Sequence, residues 1–588
     1  MSRRLDRARP YGEVIGEAGY RFEQDGTRFD DQENEIVTAK PRAGKPAVAA
    51  SSTPAPGADK PADRSSGGAV ARLMVWRAED PQGDEAGKVK YEIVPFTRGV
   101  VLDLGCGPLK AFPHFIGVDS CKDSELFGIA ITPDIKVDDC ADLSGTIQDA
   151  SVDAVFSSHL LEHIPDYRAA LKDWWRCLKV GGYLVLYLPH KAFYPNIGQP
   201  GANPDHVHDF APSDILQAMR GVGGWDLLRR EERNGGREYS FLLVFKKSAG
   251  AAQTYCHPAK GEKKRHKTAC VVRYGGFGDM LQAANILPAL KRQGFHVTVM
   301  TTPKGQDVLR EDPHVDAWYI QDPDQVPNHE LSAFWGVVAK QFDRFINLCE
   351  SVEGTLLALP GRANHLWPHA VRHRHLNHNY LEFTSELAGV PYRSEARFYP
   401  SAEERDNATA RLSADGPNIV FALAGSSCHK FYPGQDAVIA RLLLHFPGCR
   451  VFMVGDDACK LLELGWENES RVVRLSGELS IRETLALAKR ADIVVGCETG
   501  VLNAVAFEDN RKVVLLSHSS HENLTKHWRN TAPLAPPDLD CYPCHRLHYT
   551  REFCRADPES GAALCQRLIA PERVFAAIVA EPKVEAAA

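Results

Sequence analysis

Apolar runs of strand length recur along the chain, and segments of helical period separate them. The first cluster includes Val100–Leu104, Phe115–Val118, the stretch SVDAVFSS from position 151, and YLVLYLP ending at 189. In ACVVRYGGFGDMLQAANILPALKRQGFHVTVMT (269–301) a strand runs into a glycine-rich turn. Met280, Ala283, Leu287 and Leu290 then form an apolar helical stripe that Gly294 ends, and a second strand follows. Further runs lie in NIVFALAG (418–425), RVFMVGDD (450–457), RVVRLSG and ADIVVGCETG (within 471–507), and KVVLLS (512–517). Strands alternating with helices predict parallel α/β sheets.

Composition divides this pattern. Residues 38–69 are Pro, Ala, Gly, Ser and Lys with almost no large apolar side chain, too little to offset the entropy of ordering. Together with the polar residues before it, 1–70 is expected to be a disordered or unassigned segment. A second break at 248–267 ends in a basic run and reads as a solvated linker, with contact to an anionic membrane surface as the competing reading. Folded blocks are expected at 71–247 and 268–583, the latter divided into 268–400 and 418–583 by a connection at 401–417.

The 588 residues are 44% hydrophobic and 25% charged with net charge −7, which argues against a generally basic nucleic-acid binder. No stretch approaches the ~20 apolar residues of a membrane span. The opening MSRRLDRARPYGEV lacks the apolar core of a secretory signal. Fifteen cysteines, most of them scattered singly, fit a reducing compartment, so a cytoplasmic protein is expected.

In GVVLDLGCGPLKAFPHFIGVDS (99–120), glycines after the first strand let a cofactor approach the backbone, and Asp119 at the end of the second can accept from a ribose diol. A dinucleotide fold is one reading, but the third glycine is missing. Asp103 disfavours phosphate and suits a cationic ligand such as S-adenosylmethionine. His159, Glu162 and His163 follow the fourth strand, at the sheet edge where such folds place ligands, and His159 or His163 can take a proton from a hydroxyl acceptor. His190, His206 and His208 lie on later loops; DHVHD by itself has weak metal-ligand spacing.

These motifs resemble the class I S-adenosylmethionine-dependent methyltransferases. Asp103-Leu104-Gly105-Cys106-Gly107 matches the family's first motif and Asp119 its ribose-binding acid. VDDCADL (137–143) matches the segment that meets the adenine, with Asp139 or Asp142 as the acid. Only about eleven residues separate Gly107 from Asp119, so the family's first helix is expected to be shortened or absent.

In the second block, Ser426 in the Gly-Ser-Ser turn and Lys430 four residues on suit a diphosphate, and a second glycine turn stands at Thr499-Gly500. Asp279, at the start of a helix, would repel phosphate; the helix dipole is expected to keep it ionised, and it can deprotonate a hydroxyl. Helix capping is its competing role. Cys541, Cys544, Cys554 and Cys565 suit structural zinc, against free or redox-active thiols.

This block resembles the heptosyltransferase-like GT-B glycosyltransferases of family 9. RYGGFGDMLQAANILPAL resembles the family's opening turn, AGSSCHKFYP its sugar-nucleotide segment and CETGVLNAVA its Asp-Thr-Gly-x-x-His element, with Glu498 for the acid and Asn503 for the histidine. The resemblance implies that Asp279 is the base and that Ser426, Lys430, Glu498, Thr499 and Gly500 hold a nucleotide-sugar donor, ADP-heptose among the candidates.

The resulting expectation is an α/β protein: a Rossmann-like methyltransferase domain followed by a GT-B pair of Rossmann-like domains. It implies a bifunctional transferase of lipopolysaccharide biosynthesis type, using S-adenosylmethionine and a nucleotide-sugar on a glycan or glycolipid acceptor, with peripheral membrane contact and no nucleic acid. The competing readings are a non-catalytic nucleotide- or glycan-binding scaffold and a nucleic-acid-modifying enzyme.

Overall fold

A computed structural model describes residues 84–250 and 266–580 except 127 and 237, with backbone alone for short strands at 21–22, 27–29, 35–38 and 253–255. The expected disordered segment at 1–70, and most of the linker at 248–267, lie outside the described residues. The described chain forms two compact units, 84–250 with 324–327, and 266–323 with 328–580.

The first unit is built on one sheet. Its strands are β1 (Val101–Leu104), β2 (Ile116–Asp119), β3 (Ile135–Lys136) and β4 (Val152–Ser158). After helix α1 (Tyr167–Cys177) come β5 (Leu178–Pro189), helix α2 (Pro212–Met219), β6 (Trp225–Arg233), β7 (Ser240–Lys247) and β8 (Gln253–Tyr255). The order across the sheet is β8-β6-β7-β5-β4-β1-β2-β3. Strands β1 to β5 pair in parallel, while β7 runs antiparallel to both neighbours. Every residue of β1 is buried, as a central strand covered on both faces requires. Asp166 caps α1 by accepting from the Ala169 amide at 3.0 Å, and the helix buries Ala170, Leu171, Trp174 and Trp175 against the sheet. No helix forms between β1 and β2, as the short spacing requires.

The second unit contains two parallel sheets. The first has β9 (Lys267–Val272), β10 (Phe295–Thr301), β11 (Ala317–Ile320) and β12 (Arg344–Asn347) in the order β11-β10-β9-β12. Between β9 and β10 the expected single helix is two, α3 (Phe277–Ala283) and α4 (Leu287–Arg292). Pro288 has no N–H to continue the ladder, and a 3₁₀ turn at Ala284–Ile286 joins the pieces. The predicted stripe is buried throughout: Met280, Ala283, Leu287 and Leu290 are at most 5% exposed.

The second sheet has β13 (Asn418–Ala422), β14 (Arg450–Val454), β15 (Val472–Arg474), β16 (Ile493–Cys497), β17 (Arg511–Leu515) and β18 (Thr531–Leu534), in the order β15-β14-β13-β16-β17-β18. This is the doubly wound order, which opens a crevice where strand order reverses, here between β13 and β16. Helix α5 (Ala402–Arg411) leads into this sheet and opens with a capping box between Ser401 and Glu404. The Glu404 carboxylate also accepts two 2.7 Å bonds from Arg482, which is 1% exposed and lies on α6 (Ile481–Arg490). Arg482 donates further to the carbonyls of Asp307, Val308 and Tyr399, joining both sheets and the segment between them. Among the described residues no helix is long and apolar enough to cross a membrane.

Candidate functional site

The first unit gathers its chemistry at the C-terminal ends of β1, β2 and β4. Gly105 and Gly107 adopt left-handed φ of +66° and +53°, which glycine reaches without strain. A β-carbon at Gly105 would strike Leu160 at 2.8 Å, whereas at Gly107 it would meet only Leu126 at 3.9 Å, so the turn is open there. Asp119 accepts from the Gly107 amide at 3.0 Å and from the Cys121 amide at 2.8 Å, tying the end of β2 to the glycine turn. The buried hydroxyls of Ser157 and Ser158, at the end of β4, have no hydrogen-bond partner among the described residues. An open glycine turn, an adjacent acid and orphaned hydroxyls fit a ligand with an amino acid end and a ribose.

Asp103 differs from its expected part. It is 2% exposed, accepts from the Ala111 amide at 2.8 Å, and burial pushes its pKa up to about 7. It braces the loop after β1 from within the core. Asp139 and Asp142 are exposed and accept from the Ala141 and Ser144 amides, each at 2.9 Å. His159 has a left-handed φ of 50° and pairs with the Ser240 hydroxyl at 3.0 Å. His163 bonds the Asp205 carbonyl through Nδ1 at 3.1 Å. Burial lowers the pKa of both imidazoles, which are therefore neutral bases near pH 7.

In the second unit the turn after β9 brings three charged groups together. Asp279 caps α3 by accepting from the Gly276 amide at 2.7 Å. Its other oxygen lies 3.3 Å from the Arg273 guanidinium, which also bonds Glu353 and the Leu348 carbonyl. The helix dipole is not the only influence on Asp279. Burial first, and then the negative charge of Glu353, push Asp279 up to about 8 against the pull of Arg273. Burial would raise Glu353 too, but Arg273 holds it below the ordinary range. Asp279 is thus both a cap and a carboxyl that titrates near neutrality.

The turn after β16 stands against this one: Gly278 and Gly500 approach at the starts of α3 and α7 (Gly500–Ala504). Asn503 accepts from Gln282 at 3.3 Å and donates to the Thr499 carbonyl at 3.1 Å. The Thr499 hydroxyl oxygen is buried with no partner among the described residues, Ser426 is exposed, and the aliphatic part of Lys430 and the Thr499 methyl both pack against Gly425. An orphaned hydroxyl beside a lysine and a serine turn fits a diphosphate. Glu498 serves the protein itself. At 5% exposure it accepts from the Ser517 and Ser519 amides at 2.9 and 3.0 Å and pairs with His518 at 2.8 Å. Burial would raise its pKa, but His518, Lys430 and Ser517 hold it at about 2.

Cys541, Cys544, Cys554 and Cys565 line one cavity together with His429 and His548. Cys544 Sγ lies 3.6 Å from His548 Nε2, and a hydrogen bond from Cys554 lowers the Cys428 thiol to about 7. Sequence spacing missed Cys428 and His548. Among the described residues, three ligand atoms lie within 4.8 Å of one another in two groups, Glu162–His163–His206 and His429–Glu498–His518, neither of which contains a cysteine.

Comparison with known proteins matches two segments of the chain. Residues 102–186 match the model of a methyltransferase domain, and residues 360–550 match that of glycosyltransferase family 9 (heptosyltransferase). No curated protein matches the chain. Similar solved structures include the glycosyl transferase family 9 protein of Veillonella parvula, 16% identical over 46% of this chain and 85% of that one, with a TM-score of 0.36. E. coli ADP-heptose lps heptosyltransferase II is 14% identical over 53% of this chain and 97% of its own, with a TM-score of 0.34. The iron-containing dodecameric glycosyltransferase TibC of enterotoxigenic E. coli is 17% identical over 57% and 83%, with a TM-score of 0.35. The chain is a transferase that carries a methyltransferase domain and a domain of glycosyltransferase family 9 in one polypeptide.

Proposed function

We propose that the protein methylates a hydroxyl of a sugar or small molecule with S-adenosylmethionine, and transfers a sugar from a nucleotide-sugar to a glycan or glycolipid acceptor. The observation that carries the second activity is the Arg273–Asp279–Glu353 cluster on the turn whose Gly278 meets Gly500. Asp279 takes the proton of the acceptor hydroxyl; that oxygen forms the new bond to the sugar as the bond to the diphosphate breaks. Lys430, Ser426, Thr499 and Gly500 hold the diphosphate, and Glu498 acts one step removed by fixing residues 517–519. ADP-heptose is the leading donor because the matched family is that of the heptosyltransferases, which also favours a cytoplasmic place of action on lipopolysaccharide-type acceptors.

In the first unit, S-adenosylmethionine supplies an electrophilic methyl group when bound. Asp119 and the turn at Gly105–Gly107 hold its ribose and amino acid ends, Asp139 or Asp142 meets the adenine, and neutral His159 or His163 accepts the proton of the methylated hydroxyl. The cavity lined by Cys541, Cys544, Cys554 and Cys565 holds a thiophilic cation, zinc in the first instance. Incubation with ADP-, GDP- and UDP-sugars, followed by assay of free nucleotide, tests the donor reading. Slow acceptor-independent hydrolysis of one sugar nucleotide supports it, and neither hydrolysis nor binding of any would overturn it.

A further inference from the structure

Glu162 is fully buried, and neither of its carboxylate oxygens has a hydrogen-bond partner among the described residues. A buried carboxylate left in that state is costly. Imidazoles stand around it: His206 Nε2 lies 3.8 Å and His159 Nδ1 3.7 Å from Oε1. Both separations exceed a hydrogen bond, so the rings do not satisfy the carboxylate. The His163 ring packs edge-on against that of His206 with centroids 4.8 Å apart, and ligand atoms of Glu162, His163 and His206 all lie within 4.8 Å of one another.

The surroundings hold these groups in place. The Val207 and His208 amides donate to the Glu162 carbonyl at 2.9 and 3.2 Å, which fixes the loop bearing His206 against the segment bearing Glu162. His163 faces the Asp205 carbonyl through Nδ1 at 3.1 Å. A carbonyl only accepts, so that nitrogen carries the proton and Nε2 keeps its lone pair. Metal-binding histidines are oriented by just such bonds from the second ring nitrogen.

We propose that Glu162, His163 and His206 bind a divalent transition cation of the Zn²⁺, Fe²⁺ or Mn²⁺ class through one oxygen and two nitrogens, beside the methyl-acceptor position. Tetrahedral ligands at about 2.0–2.1 Å from a metal stand about 3.4 Å from one another, so small rotations of these side chains close the set. Three protein ligands leave a position open for a hydroxyl, which the cation acidifies. The proton passes to His159; the oxygen's electron pair forms the bond to the methyl carbon, and the sulfonium leaves as a neutral thioether. That use of the site rests on the hydroxyl-acceptor reading above, whereas cation binding does not.

The test is a Co²⁺ titration of the chelator-treated full-length protein, followed by visible absorption. One bound equivalent should show d–d bands without a thiolate charge-transfer band, which separates this site from the cysteine cavity. Glu162→Gln and His206→Ala should each weaken that equivalent at least tenfold while melting curves and S-adenosylmethionine binding persist. If packing around the buried pair fails, His163→Ala on the half-exposed ligand gives the same reading. Uptake accompanied only by the thiolate band, or nitrogen–oxygen bands unchanged in the folded variants, would overturn the site. Methyl transfer is not read, so a negative result leaves the hydroxyl acceptor standing.

Discussion

Gly278 and Gly500 meet face to face: a β-carbon on Gly500 would lie 3.1 Å from the Gly278 amide nitrogen, and one on Gly278 would lie 3.5 Å from the Gly500 α-carbon. The glycine turns of the two sheets of the second unit thus come together because neither carries a side chain. Gly500→Ala must push backbone against backbone. It should destabilise the protein by about 1–3 kcal/mol, the usual cost of overpacking, and reduce sugar transfer beyond the loss of folded protein. Urea melts alongside turnover check this; wild-type values in both would show slack between the turns.

Asp279 should govern the acid limb of glycosyl transfer. Because burial and Glu353 push it up to about 8, its basic form grows as pH rises through that value, and kcat/KM should rise with it. Glu353→Gln removes a neighbouring negative charge and should move the limb to lower pH. Asp279→Asn keeps size and capping and should lower transfer by about 10²–10⁴-fold with donor binding retained. Intact turnover in that variant would reduce Asp279 to a cap.

Asp119 both anchors the glycine turn and offers an acceptor to a ribose. Asp119→Ala should weaken S-adenosylmethionine binding by about 1.5–3 kcal/mol by calorimetry, if its bonds are charge-assisted. Unchanged affinity would remove Asp119 from the cofactor site.

Asp103 gives a pH signature in stability. Its folded pKa of about 7 lies above the ordinary carboxyl value, so between about 4 and 7 the native state holds a proton that the unfolded chain has lost. This contribution is complete below the unfolded pKa and is lost as pH rises through 7, at no more than about 1.4 kcal/mol per pH unit. Asp103→Asn should flatten that slope in denaturant melts across pH 4–8.

A cation on the cysteine cavity should be visible in thermal stability. Chelator treatment is expected to lower the Tm of the wild type, and Cys544→Ser should abolish that part of the drop. Metal analysis on both proteins checks the assignment, and equal metal content would refute it.

Much of this was legible in local sequence. The strand-turn-helix run around Asp279 shows in the spacing of Met280, Ala283, Leu287 and Leu290, because one helix face must be buried. The acid at Asp119 and the missing helix before it are likewise short-range facts. Long-range electrostatics is not legible in this way. The helix dipole at Asp279 can be read from its neighbours, but Glu353 reaches the site through Arg273, 80 positions away, and carries no motif. Spacing likewise does not reveal that the Asp103 carboxyl turns to the Ala111 amide. His548, which lines the cysteine cavity, and Cys428, which meets Cys554, went unannounced for the same reason.

Arg482 has a consequence for how the second unit can be divided. Its guanidinium takes acceptors from Asp307 and Val308 beside the first sheet, from Tyr399 and Glu404 in the connecting stretch, and itself belongs to the second. A chain severed at 417 would leave a buried cation without its carboxylate in one fragment and a carboxylate without its two-bond arginine partner in the other. The visible seam between the two sheets is therefore no place to cut: recombination that swaps one half for a foreign counterpart has to carry the arginine's whole set of acceptors with it, so the halves are inherited as one piece.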